Sequence, residues 1–122
     1  MRRIFYPLFC AVVMFSACGQ QHDAEVLVED FMNENLKSPT ALTNVDFAKL
    51  DSTARLNDSI INVIRSLAGQ SGRYRDGIRY SNKKQEKPLK ILRVQYKIDT
   101  TECSDTYYLN RDITEVIAVK VN

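Results

Sequence analysis

Few residues in this chain have the types and spacing that chemistry needs. Its one histidine, His22, lies in the polar run Gly19-Gln20-Gln21-His22-Asp23 behind Cys18, where no pocket orients it. That position argues against Ser-His-Asp or Cys-His catalysis and against a histidine-rich metal site. Glu25 with Glu29, and Asp30 with Glu34, are spaced to share a helix face and leave open a small enzyme working with paired carboxylates. Acids in that setting are ordinarily a solvated surface, and the four glycines are scattered rather than gathered in a phosphate loop. The expectation is therefore a protein without catalytic residues, cofactor or metal.

Cys18 is the exception, because of what precedes it. Arg2 and Arg3 give a positive start, residues 4–15 are an apolar block broken by Pro7, and Ser16 and Ala17 are small. This is the layout of a secretory signal, and it falls short of the roughly 20 apolar residues that span a bilayer. The stretch Phe15-Ser16-Ala17-Cys18 resembles a bacterial lipobox, with Phe where Leu is more usual. That resemblance implies cleavage before Cys18 and a diacylglycerol on its thiol. Two or more acyl chains hold stably where one holds marginally. Gly19 after the cysteine, rather than Asp, implies sorting to the outer membrane. An ordinary signal cut near Ala17, leaving Cys18 a free thiol, is the alternative. Arg2-Arg3 also fits a twin-arginine signal, but a small chain with no evident cofactor has little need to be exported folded. The expected organisation is a signal peptide over residues 1–17, a lipidated tether over 18–23 and one small domain over 24–122, a length that matches a single core.

With Cys10 removed and Cys18 acylated, Cys103 is the remaining cysteine and no intramolecular disulfide can form. It lies in the polar stretch "DTTECSDTYY", which reads as a turn and makes it an inert, partly shielded residue rather than a reactive or intermolecularly paired thiol.

The whole chain holds 17 basic and 15 acidic side chains, which balance once Arg2 and Arg3 are set aside. The distribution is uneven: residues 64–97 hold ten bases and two acids between acidic flanks. Such a block marks a polyanion-binding surface or faces the protein's own acidic helix. Lys83, Lys84 and Lys87, together in "SNKKQEKP", are the candidate polyanion contact. For a protein of the envelope, an acidic glycolipid or an acidic envelope protein fits as partner, and nucleic acid is not expected.

Residues 24–37 place Ala24, Leu27, Val28 and Phe31 on one helical stripe, extended by Met32 and Leu36, and Pro39 ends that helix. "NVDFAKL" alternates as a short strand. A second helix starts at the cap Asn57, with Asp58 at its positive end and Leu56 and Ile61 spaced as a hydrophobic staple. Its stripe reads Leu56, Ile60, Val63, Ile64, Leu67, and Gly69 suits its end. Residues 69–88 read as a loop, with "IRYSN" a possible edge strand. In "ILRVQYKID", Leu92, Val94, Tyr96 and Ile98 face one way. "TYYLN" and "TEVIAVKV" flank "RDI", the length of a hairpin connection. The expected fold is α+β: two N-terminal helices packed on a three- to four-stranded antiparallel sheet.

"VEDFMNENLKSPTALTNVDFAKLDS" (28–52) and "YYLNRDITEVIAV" (107–119) are similar to segments of a group of small uncharacterised Bacteroidetes lipoproteins. These pair an "NLK-x-P" helix end with an "F-x-KLDS" strand and close in a "Y-x-L-x-x-D-x-T-x-V" hairpin. The resemblance implies a cystatin-like or nuclear-transport-factor-like fold and carries no catalytic residue. It also implies that Asp51-Ser52-Thr53, Asp58-Ser59-Ile60 and Asp99-Thr100-Thr101 resemble a periplasmic O-glycosylation signal, with Ser52, Ser59 and Thr100 as acceptors. A strand end, a helix start and a turn account for the same three positions structurally. Functionally the reading is a non-catalytic binding or accessory module at the outer membrane, with an envelope structural or assembly component as the alternative. Tyr74, Tyr80, Tyr96, Tyr107 and Tyr108 are candidates for an exposed aromatic contact patch, although strand alternation hides some of them.

Overall fold

The computed structural model describes residues 2–81 and 86–122, with the side chains of residues 2–18 outside the description. The fold is α+β, with two helices and an antiparallel sheet of five strands. Helix α1, Arg2–Asn35, runs without interruption through residues 18–23 into the first core helix. A 3₁₀ turn, Pro39–Ala41, follows where Pro39 forbids continuation, and leads into β1, Leu42–Phe47, and β2, Asp51–Thr53. Helix α2, Asp58–Gln70, precedes the three long strands β3, Leu89–Ile98, β4, Thr101–Leu109, and β5, Val116–Val121.

The strand order is β1-β3-β4-β5, with β2 also on β3. β1 pairs with the C-terminal half of β3 and β2 with its first residues, so the two form one edge strand broken at residues 48–50. The amide of Gln21 fills the break: Nε2 donates to the Ala48 carbonyl at 3.0 Å, and Oε1 accepts the Leu50 N–H at 2.7 Å. The break separates two pieces too short to be recognised separately, which is why β2 adds a strand to the expected three or four. The β3–β4 hairpin closes in two residues, with Asp99 at φ 54°, a left-handed conformation that Asp tolerates better than most residues.

Alternation along the strands gives the sheet two different faces. Leu92, Val94 and Tyr96 of β3, Cys103, Tyr107 and Leu109 of β4, and Val116 and Val119 of β5 pack against Ala24, Val28, Phe31, Met32 and Leu36 of α1. Helix α2 does not share that face. Its Ile61 and Ile64 meet Leu89, Ile117 and Ala118, with Leu56 and Tyr108 alongside, on the opposite side beside β5, while Ala68 one turn on reaches the main core. The expectation of two helices packed together on the sheet thus holds only coarsely. Arg65 from α2 donates Nε to the Ile117 carbonyl at 2.7 Å and Nη2 to the Ser81 carbonyl at 3.2 Å, tying the helix to the sheet edge.

Several sequence expectations change in detail. Asn57 caps α2 as read, its Oδ1 accepting the Ile60 N–H at 2.9 Å. The buried face of α2, however, is Ile61, Ile64 and Ala68, whereas Ile60, Val63 and Leu67 are 41%, 58% and 58% exposed. The helix also passes Gly69 and stops at Ser71, with Gly72 at φ 77° supplying the left-handed residue after the cap. Cys103 sits in β4 rather than in a turn, because cross-strand pairing to Tyr96 overrides the polar composition of its neighbourhood. Residues 78–81 are not a strand.

Candidate functional site

The polar centre of the domain is Asp105, an acid in an otherwise apolar row. Strand β4 turns Cys103, Asp105, Tyr107 and Leu109 toward α1, and the register sets Asp105 opposite Val94 and Cys103 opposite Tyr96. Asp105 is 0% exposed, a position that a carboxylate occupies only when paired and hydrogen-bonded. Three side chains meet that requirement. Arg73 Nη1 donates to Oδ1, while the hydroxyls of Tyr74 and Tyr96 both donate to Oδ2 at 2.5 Å. The Tyr74 hydroxyl also lies 2.6 Å from that of Tyr107.

These partners come from separate parts of the chain. Arg73 and Tyr74 follow the α2 terminus in a segment bridged to the end of α1: Leu36 pairs with Tyr74, Lys37 N–H donates to the Arg73 carbonyl at 3.1 Å, and Arg75 N–H to the Asn35 carbonyl at 2.7 Å. Phe31 closes the cluster, with ring centroids 5.6 Å from Tyr107 edge-on and 6.4 Å from Tyr74. Burial pushes the Tyr74, Tyr96 and Tyr107 hydroxyls well above the ordinary tyrosine range, and the Asp105 charge reinforces this. For Arg73, burial pulls the other way, but the Asp105 charge leaves its pKa raised. The cluster is a network of tyrosine hydroxyls around one ion pair.

Two depressions open beside it. One, of about 320 Å³, is lined by Lys37, Ser38, Ser71, Gly72, Arg73, Ile98, Thr101 and Cys103. The other, of about 450 Å³, includes Asp46, Gln95, Tyr96, Lys97, Glu102 and Cys103. Cys103 stands between them, 8% exposed, its Sγ 3.7 Å from the Thr101 carbonyl.

The residues singled out in the sequence are scattered. The Cys18 side chain lies outside the described residues, as do Lys83 and Lys84; Lys87 is exposed. Glu86 beside it pairs with Arg111. Ser52 on β2, Ser59 in the first turn of α2 and Thr100 in the β3–β4 turn are all exposed and far apart in the fold. Glu29, Asp30 and Glu34 are exposed on α1, and Glu25 accepts from Gln21 at 3.0 Å. Of the five tyrosines, Tyr74, Tyr96 and Tyr107 are buried and the other two partly so, which corrects the idea of an exposed patch. Among the described residues no three His, Cys, Asp or Glu side chains converge as a metal site, and no helix is long and apolar enough to cross a membrane.

Sequence reasoning missed Asp105 and Arg73. Asp105 was findable as the polar member of the row Cys103, Tyr107, Leu109, whereas Arg73 sits in a loop whose contacts only the tertiary fold reveals. The chain matches no protein-family model, no curated protein and no solved structure.

Proposed function

We propose that this protein is a lipid-anchored, non-catalytic binding or accessory module of the cell envelope, held at the outer membrane through Cys18 and akin to the small lipoproteins of Bacteroidetes. The observation that carries the reading is the apolar block ending in Ser16-Ala17-Cys18 behind Arg2-Arg3. The binding role is supported by the Asp105 network, which holds Arg73 at the rim of a depression. The partner in this reading is an envelope protein or an acidic glycolipid, with no cofactor, metal or nucleic acid. A cystatin-like or nuclear-transport-factor-like arrangement is compatible with a helix laid on an antiparallel sheet. The open row Ile60, Val63, Leu67 favours the second reading, a structural or assembly component.

The test is labelled fatty-acid incorporation in the native envelope. Wild-type protein takes up label and Cys18→Ser accumulates as unlabelled precursor; equal labelling of both rejects the anchor. Exposure of Ser52, Ser59 and Thr100 is compatible with O-glycosylation. If all three carry glycan, intact mass exceeds polypeptide plus lipid, and the triple alanine variant removes the excess.

A further inference from the structure

We propose that the depression between the end of α1 and the Arg73 loop is a binding site for a phosphate group carried on a small organic ligand. The inference rests on the binding-module reading but not on the lipid anchor. Lys37 and Arg73 stand opposite one another because Leu36 and Tyr74 form an antiparallel bridge, with both of those side chains buried. Like charges directly opposite in such a pairing repel. Asp105 offsets Arg73 from within, while exposed Lys37 has no ion pair among the described residues.

The wall supplies the other requirements of an oxyanion. Ser38 and Thr101 bring hydroxyls, Ser71 being committed to the Ala68 carbonyl at 2.7 Å, and Gly72 brings a backbone turn with no side chain in the way. Among the described residues no acid lines the depression. Asp105 is fully buried behind Arg73, and Glu102, next to Thr101, is set opposite Lys97 and lines the neighbouring depression. A guanidinium carries five donors, so the bond from Nη1 to Asp105 leaves Arg73 others to offer a ligand. Two cations with hydroxyls in the same wall suit a phosphate dianion better than a carboxylate, since phosphate has three acceptor oxygens to be met. The volume of about 320 Å³ exceeds that of the anion alone, and Ile98 and Cys103 give an organic remainder an apolar floor.

The experiment titrates the full chain in detergent micelles at low ionic strength with inorganic phosphate, glycerol phosphate and, as the uncharged control, glycerol. Phosphatidylcholine vesicles with and without phosphatidylglycerol separate a free phosphate ester from a lipid headgroup. Saturable heat on titration with glycerol phosphate or selective binding to the anionic vesicles supports the site, provided it weakens about ten-fold in Lys37→Ala and falls as salt screens it. Occupancy also slows alkylation of Cys103, followed by peptide mass spectrometry. Lys37 is exposed, so its loss does not threaten folding, and circular dichroism checks this. No saturable binding to any phosphate probe, equal binding by Lys37→Ala, or an equal loss in Lys87→Ala overturns the proposal. Fatty-acid labelling at Cys18 is read separately, so failure of the anion site and failure of the anchor are told apart.

Discussion

At Asp105 one carboxylate organises three side chains, and the cost of removing it follows from what would be left behind. Asp105→Asn keeps the shape but leaves the Arg73 guanidinium half-buried without its counter-charge and two tyrosine hydroxyls with a weaker acceptor. Breaking a buried pair from one side costs about 3–5 kcal/mol, so the urea midpoint should fall sharply. An unchanged midpoint would mean that Asp105 contributes nothing net. The tyrosines give a second prediction, with a definite sign. Tyr80 is pushed up to about 12, mainly by burial with Arg65 opposing, and burial also raises Tyr74, Tyr96, Tyr107 and Tyr108. A raised folded pKa contributes stability that is complete below the unfolded value, about 10, and is lost as pH climbs toward the folded one. Each such proton steepens the loss by about 1.4 kcal/mol per pH unit. Tyrosinate absorbance should therefore appear together with loss of circular dichroism above pH ~10, as one cooperative step; independent tyrosine titration in folded protein contradicts this. The pattern was partly visible in sequence, since alternation puts Asp105 between Cys103 and Tyr107. Its partner Arg73 was not, because nothing local ties residue 73 to residue 105.

At the scale of elements, the sequence located α2 correctly but turned it by about one residue. The staple, the cap and the apolar spacing all identify a helix, yet Ile60, Ile61, Val63, Ile64 and Leu67 form a band wide enough to be buried along either of two lines. Tertiary contact decided: Arg65 must reach the Ile117 and Ser81 carbonyls, and the residues flanking that orientation are Ile61, Ile64 and Ala68. Ile64→Ala should then lower stability by about 2–4 kcal/mol through a cavity under the helix. Leu67→Ser, on the exposed line, should change it by about 0.5 kcal/mol or less. Equal losses at the two positions, measured by thermal melting, would restore the original stripe. Asn57→Ala should cost about 1 kcal/mol by removing the acceptor of the Ile60 N–H. The β-strands were legible where alternation ran long, as in β3. They were less so at Asp51–Thr53, read only as the end of the preceding strand, which is a separate piece beyond the break that Gln21 fills.

Across the whole molecule, the helical path of residues 18–23 alters what an anchor at Cys18 would do. A polar tether lets a domain tumble over a membrane, whereas α1 carries the chain from residue 18 into the core without a break. Gln21, three residues or about 4.5 Å of helix rise beyond Cys18, is already bonded to the β1–β2 edge. An acyl chain on Cys18 would thus hold that sheet edge close to the lipid surface in a restricted set of orientations. The Lys37–Arg73 depression, at the other end of the core part of α1, would be kept about 21 Å away by the same helix, on the rise of 1.5 Å per residue from 21 to the helix end at 35. A ligand that is itself a headgroup of the anchoring membrane would have trouble reaching it, which favours a soluble phosphate ester or a partner standing off the surface. The coupling is testable through Gln21. Gln21→Ala removes the acceptor of the Leu50 N–H, so hydrogen exchange at Leu50 should accelerate by one to two orders of magnitude, while exchange at the β3–β4 amides stays slow. If Leu50 exchanges at the same rate in both proteins, the clamp does not hold in solution and the anchor is free to swing.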